Sequence, residues 1–149
     1  MIRVKIEGIS DADIRDFKFD GSGRSLNREI PAHIVAEDAN YLAFLDINPL
    51  TKGHTLVIPK VEIDYIFDLD DKTLAGLHLF SKKVASAIQR VTGCKRVAVV
   101  VLGMEVPHAH IHLIPMNQMS DANFSNPKLK ISSDELASIA SGLREGFVS

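Results

Sequence analysis

The sequence predicts an α+β domain built on one antiparallel sheet of about five strands, with a long helix packed on it and a second helix at the C-terminus. Three observations carry this expectation. Short apolar or β-branched runs recur between turn-forming residues; the stretch from Asp71 to Thr92 repeats its apolar side chains at helical spacing; and three histidines, His108, His110 and His112, stand at alternate positions. Alternate side chains of a strand share a face, so the three imidazoles would project together, about 6.8 Å apart along the strand, with Ala109, Ile111 and Leu113 turned to the core.

Taken in order, Ile2, Val4 and Ile6 alternate with charges as a short strand would, and Asp20-Gly21-Ser22-Gly23 reads as a turn. Residues 1–27 differ in texture from the rest, which divides the chain into an N-terminal extension, 1–27, and a domain, 28–149. Ala32 to Ala36, Tyr41 to Asp46 and His54 to Pro59 form three predicted strands, separated by Glu37-Asp38-Ala39-Asn40 and by Asn48-Pro49-Leu50-Thr51-Lys52-Gly53. The helix from Asp71 to Thr92 has Asp70 or Asp71 at its N-cap, Leu74, Leu77, Val84, Ile88 and Val91 along its stripe, and Gly93 past its end. Val97 to Leu102 and His108 to Pro115 supply two more strands. A polar loop from Asn117 to Pro127 leads to a helix starting near Ser133, capped by Ser132 or Ser133 and lined by Leu136, Ile139, Leu143 and Phe147.

Composition narrows the function. With 149 residues, 46% of them hydrophobic, the chain can bury a core without covalent staples. Its single cysteine, Cys94, has no partner within the chain and suits a reducing, cytoplasmic setting. A net charge of -2 with interspersed signs offers no basic stripe for a nucleic acid polymer, and no apolar run approaches the ~20 residues of a membrane span.

Imidazole titrates near neutrality, so a histidine cluster can divide the roles of nucleophile, proton carrier and hydrogen-bond donor to developing negative charge. Phosphorus is a suitable electrophile. Neutral imidazoles two apart on a strand can also bind zinc, but the nearby acid is only Glu105 and the chain holds no Cys-x-x-Cys pair, so no metal ligand is predicted. His33 and His78 receive no role, and Lys60 reads as a solvated residue at a strand end.

The run from His108 to Ile114 resembles the histidine, apolar, histidine, apolar, histidine, apolar, apolar signature of the histidine triad (HIT) superfamily. Phe44-Leu45-Asp46-Ile47-Asn48-Pro49, Gly53-His54-Thr55-Leu56-Val57-Ile58-Pro59-Lys60 and Glu29-Ile30-Pro31-Ala32 are similar to further blocks of its Hint-like nucleotide-binding branch. The resemblance spans about Arg28 to Pro115.

The resemblance implies a homodimeric HIT-like fold that binds a purine mononucleotide conjugate of AMP or GMP and cleaves a bond to its α-phosphorus without a cofactor. By carry-over, His110 is the nucleophile and forms a nucleotidyl-histidine that water hydrolyses. His108 and His112 position the ring and contact the phosphate or leaving group, and His54 completes the catalytic cluster. Asp46 holds the ribose hydroxyls, while Ile30, Leu45 and Ile47 line the base or sugar pocket. The chain departs from the family pattern at Gly21-Ser22-Gly23-Arg24-Ser25-Leu26, where an aromatic and aliphatic run is usual, at Glu62, where a histidine often stands, and at Glu105, where a hydroxyl often meets phosphate. The altered base and phosphate loops keep open a nucleotide-binding regulatory module with little turnover; a dinucleoside polyphosphate substrate stays open as well, and the histidine spacing alone permits a metal-dependent hydrolase using the triad as ligands.

Overall fold

A computed structural model describes residues 33–148; Ile30 and the predicted extension 1–27 lie outside the described residues. The first strand, β1, is Ile34–Glu37. It turns back through Asp38, whose Oδ1 accepts the amides of Asn40 and Tyr41 at 2.8 Å each, the local competition that makes Asp a turn former. Strand β2 is Tyr41–Leu45 and β3 is Thr55–Pro59. A 3₁₀ turn at Ile66–Asp68, absent from the sequence expectation, leads to helix α1, Asp71–Thr92.

Both ends of α1 fall where predicted. Asp70 Oδ1 accepts the Thr73 amide at 2.7 Å, and Gly93 closes the helix at φ 68°, a left-handed conformation that glycine adopts without Cβ penalty. Strand β4 is Arg96–Val100, one residue earlier at its start and two shorter at its end than predicted; Val101 and Leu102 are exposed, and the chain bends at Gly103 (φ 69°). Strand β5 is Ile111–Met116, and helix α2 is Ser133–Gly146, with Ser132 Oγ accepting the Glu135 amide at 3.1 Å.

The five strands form one antiparallel sheet in the order β1-β2-β3-β5-β4. One face packs on α1: Ala43, Val57, Ile111 and Leu113 share a core with Leu77, Phe80, Val84 and Ile88, and α2 adds Leu136, Ala140 and Leu143. Val91, predicted for the same stripe, is 45% exposed. The period of two puts Leu42, Phe44, Leu56, Ile58, His112 and Ile114 on the opposite face, all buried. Gly76 lets α1 approach β2, because a Cβ there would collide with the Tyr41 hydroxyl, which donates to the Thr73 carbonyl at 3.0 Å.

Lys60 is not the solvated strand-end residue expected. It is 5% exposed, with Nζ 2.7 Å from Glu37 Oε1 and 2.6 Å from the Asp38 carbonyl, since a lysine held inside must satisfy its charge locally.

Candidate active site

The predicted strand from His108 starts at Ile111 instead, and proline chemistry explains the difference. The β3–β5 ladder runs Thr55↔Leu113, Leu56↔His112, Val57↔Ile111, a register that would set Pro59 opposite Ala109. Proline has no amide to donate, so the ladder stops. The Pro59 carbonyl takes a hydrogen bond from His108 Nε2 at 2.7 Å, and the Ala109 amide donates to the Ile63 carbonyl at 2.8 Å. Residues 108–110 thus leave the sheet while all three imidazoles stay buried.

Hydrogen-bond partners fix the tautomers. His110 Nδ1 lies 2.7 Å from the His108 carbonyl, which can only accept, so Nδ1 carries the proton and Nε2 keeps its lone pair. At His54 the order is reversed: the Leu50 amide donates to Nδ1 at 3.1 Å, so the proton sits on Nε2. That Nε2 lies 3.0 Å from His112 Nδ1 and donates to it, which leaves the His112 proton on Nε2. Among the described residues, His110 Nε2 and His112 Nε2 are buried without a hydrogen-bond partner. The two rings, 5.0 Å apart between centroids, therefore present one lone pair and one N–H donor.

This pattern requires neutral rings, and burial enforces it. Desolvation, with the neighbouring histidine and Lys128 adding to it, pushes His54 and His112 down to about 3. Desolvation also lowers His108 and His110, opposed there by their carbonyl hydrogen bonds and by Asp64. A histidine with a lowered folded-state pKa takes up its proton more readily when unfolded. The stability this contributes is present above the ordinary value of about 6.5 and is lost as pH falls towards 3.

Asp46 is buried beside this cluster, its Oδ2 3.7 Å from His54 Nε2 and its Oδ1 accepting the Asn48 amide at 2.9 Å. Asp46, His54 and His112 each bring a potential ligand atom within 4.8 Å of the others. A cation would need the lone pair at His54 Nε2, whereas the Leu50 amide holds that lone pair at Nδ1. The arrangement suits a hydrogen-bond relay better than a metal centre.

The structure thus gathers His54, Asp46, His110 and His112, with His108 anchored at the end of β3. Leu45 packs in the core shared with α1, and Ile47 is half-buried against that core. Phe44 is the neighbour on the opposite face, paired with Leu56. The two-residue period that groups it with Asp46 could have identified it from sequence. Glu105 is exposed, and the carbonyl of His33 accepts the Leu45 amide at 3.0 Å. His78 lines a cavity of about 360 Å³ with Asp64, Tyr65, Phe67, Leu102 and His110, so one wall of that space is the candidate nucleophile itself. Phe124, in the segment read only as a polar loop, stands nearly perpendicular to His112 (5.0 Å between centroids) and to His54 (6.3 Å).

A five-stranded antiparallel sheet that ends in alternating, buried histidines defines a histidine triad domain. The HIT domain family matches residues 27–119, and the chain belongs to that family, as the run from His108 to Ile114 led us to expect. It is 40% identical over 97 residues to an uncharacterized HIT-like protein of Borreliella burgdorferi, covering 60% of this chain and 70% of the relative. It is 35% identical over 117 residues to the adenosine 5'-monophosphoramidase hnt1 of Schizosaccharomyces pombe, covering 74% and 85%. Its fold matches the crystal structure of a hypothetical histidine triad nucleotide-binding protein of Sulfolobus tokodaii with a TM-score of 0.71 at 27% identity, covering 81% and 87%. Among the described residues no helix is long and apolar enough to cross a membrane.

Proposed function

We propose that the protein is a nucleotide-binding hydrolase that cleaves the bond between the α-phosphorus of a purine mononucleotide and an amine, with His110 as the covalent catalyst. The observation that carries this reading is the pairing of a lone pair on His110 Nε2 with an N–H on His112 Nε2 in one buried site. Nε2 of His110 attacks phosphorus while the His112 N–H donates to a phosphoryl oxygen as charge develops on it. The phosphorus–nitrogen bond breaks as the amine gains a proton from solvent. Water then cleaves the nucleotidyl-histidine and returns His110 to its neutral state. The His108 carbonyl, bonded to His110 Nδ1–H, offsets the positive charge that grows on the ring. Asp46 is the candidate for the ribose hydroxyls, Phe44 replaces Leu45 as the candidate wall for the base, and the cavity beside His110 gives the amine room. The activity of the fission yeast relative supports an AMP conjugate as substrate.

The test is turnover of a fluorogenic adenosine phosphoramidate. The expected result is hydrolysis that survives a chelator and holds its rate well below pH 6.5, because the relay stays neutral there. Tight AMP binding without turnover would overturn the reading in favour of a regulatory module, and loss of activity on chelation would favour a metal enzyme.

A second copy of the chain is the proposed partner. Among the described residues, β4 is one of the two outer strands of the sheet, with one row of backbone donors and acceptors outside the ladder, and Val99, 56% exposed, lies on it beside the exposed Val101 and Leu102. Pairing of two such edges would cover them. Sedimentation equilibrium should give twice the chain mass, and a monomer at micromolar concentration would remove this interface.

A further inference from the structure

We propose that Phe124 is a positioning residue, carried on the segment 117–131, that clamps the His54–His112 relay and shields it from water. The segment leaves β5, makes a 3₁₀ turn at Met119–Ala122 and returns to α2. It is pinned along its length. Asp121 Oδ2 accepts the amides of Asn117 and Gln118 at 2.8 and 3.1 Å, and Asn126 Nδ2 donates to the Ser120 carbonyl at 2.7 Å. A further bond, from the Leu129 amide to the Pro49 carbonyl at 2.9 Å, ties the segment to the turn whose next residue, Leu50, sets the tautomer of His54. The segment therefore meets the relay twice, at its rings through Phe124 and at its origin through Pro49.

Phe124 is oriented for this role. Its ring makes interplanar angles of 79° with His112 and 85° with His54, and Lys128 Nζ lies 4.9 Å from its centroid. Edge-to-face contacts of this kind fix ring orientation, and the cation over the aromatic face helps to hold the side chain. Covering both rings with hydrocarbon matters because the relay has a direction. If water entered and either ring took a second proton, the 3.0 Å contact between His54 and His112 would lose its acceptor or the Leu50 amide would face an N–H. Among the described residues, the charged or titratable groups facing the relay are Asp46 from the β2–β3 turn, His110 from the segment before β5, and Lys128 from the clamp itself.

The consequence for turnover rests on the catalytic reading above, but the state of the rings can be measured without it. Phe124→Ala should lower kcat about tenfold, as misplaced catalytic groups do, with KM changed less than twofold. The acidic limb of its pH profile should move up towards about 6.5, because rings that regain water protonate at higher pH. Phe124→Leu, which keeps hydrocarbon over the relay, should restore most of both. In the free protein, ¹⁵N NMR of the imidazoles should show His54 and His112 as neutral Nε2–H tautomers at pH 6, and both should titrate near their ordinary value in Phe124→Ala. Unchanged ring titration in Phe124→Ala would overturn the proposal even if the wild-type protein turns over no phosphoramidate. Should Phe124→Ala not fold, Phe124→Gln, which keeps bulk but puts a polar amide over the relay, carries the same comparison: unchanged NMR titration together with an unchanged pH profile in a folded Phe124→Gln would overturn the proposal.

Discussion

His110→Ala is expected to abolish turnover of a nucleoside phosphoramidate, with kcat falling by roughly four orders of magnitude, while AMP still binds. Loss of a covalent nucleophile removes the pathway and leaves only the residual acceleration from positioning and charge stabilisation. The neighbouring substitution discriminates. On the proposed mechanism, His112→Ala removes a hydrogen-bond donor to the phosphoryl oxygen, an expected loss of about 10²–10³. The proposal that His110 Nε2 is the attacking atom rests on its proton being held at Nδ1 by the His108 carbonyl, which leaves the lone pair at Nε2. Rapid quenching of the wild-type reaction should trap a nucleotidyl adduct on His110, absent from His110→Ala. A variant at 110 that keeps a tenth of the wild-type rate, or an adduct on His112, would reverse the roles of the two rings.

Ile111→Ala should be the most damaging of the core substitutions near the site, costing about 2–5 kcal/mol of stability in denaturant unfolding. Ile111 is fully buried, pairs with Val57 in the ladder and packs in the core under α1. It stands between His110 and His112 and anchors the backbone that carries them. The cavity left by the truncated side chain would let β5 shift under both rings, so activity measured below the unfolding transition should fall as well. A loss under 1 kcal/mol would mean that the site collapses without cost and that β5 is not held from the helix side.

Much of this was legible in the residues. Helix α1 could be placed to its ends because Asp70 and Gly93 are local devices, a cap and a left-handed stop, that act wherever the chain is. The sheet, α2 and the grouping of His54 with the triad were also within reach, the last through resemblance. Three features were not. The start of β5 depends on Pro59, 52 residues before Ile111, lacking an amide at one register position. The burial of Lys60 depends on Glu37 lying across the sheet edge. Phe124 lies in a stretch without periodicity, where sequence shows only polarity, and its place against His112 is a product of tertiary structure. The assignment of Leu45 as a pocket residue came from the resemblance, whereas the strand period directs Phe44, its neighbour, to the histidine side.

The polarity of the two-ring relay originates in a main-chain group, the amide of Leu50. Side chains come and go by substitution, but an amide is supplied by nineteen of the twenty genetically encoded residues, and only proline would delete it. The sense in which hydrogen bonds run through His54 to His112 is thus written into the route of the polypeptide, and the surrounding surface is free to drift towards new substrates without reversing which ring gives and which receives.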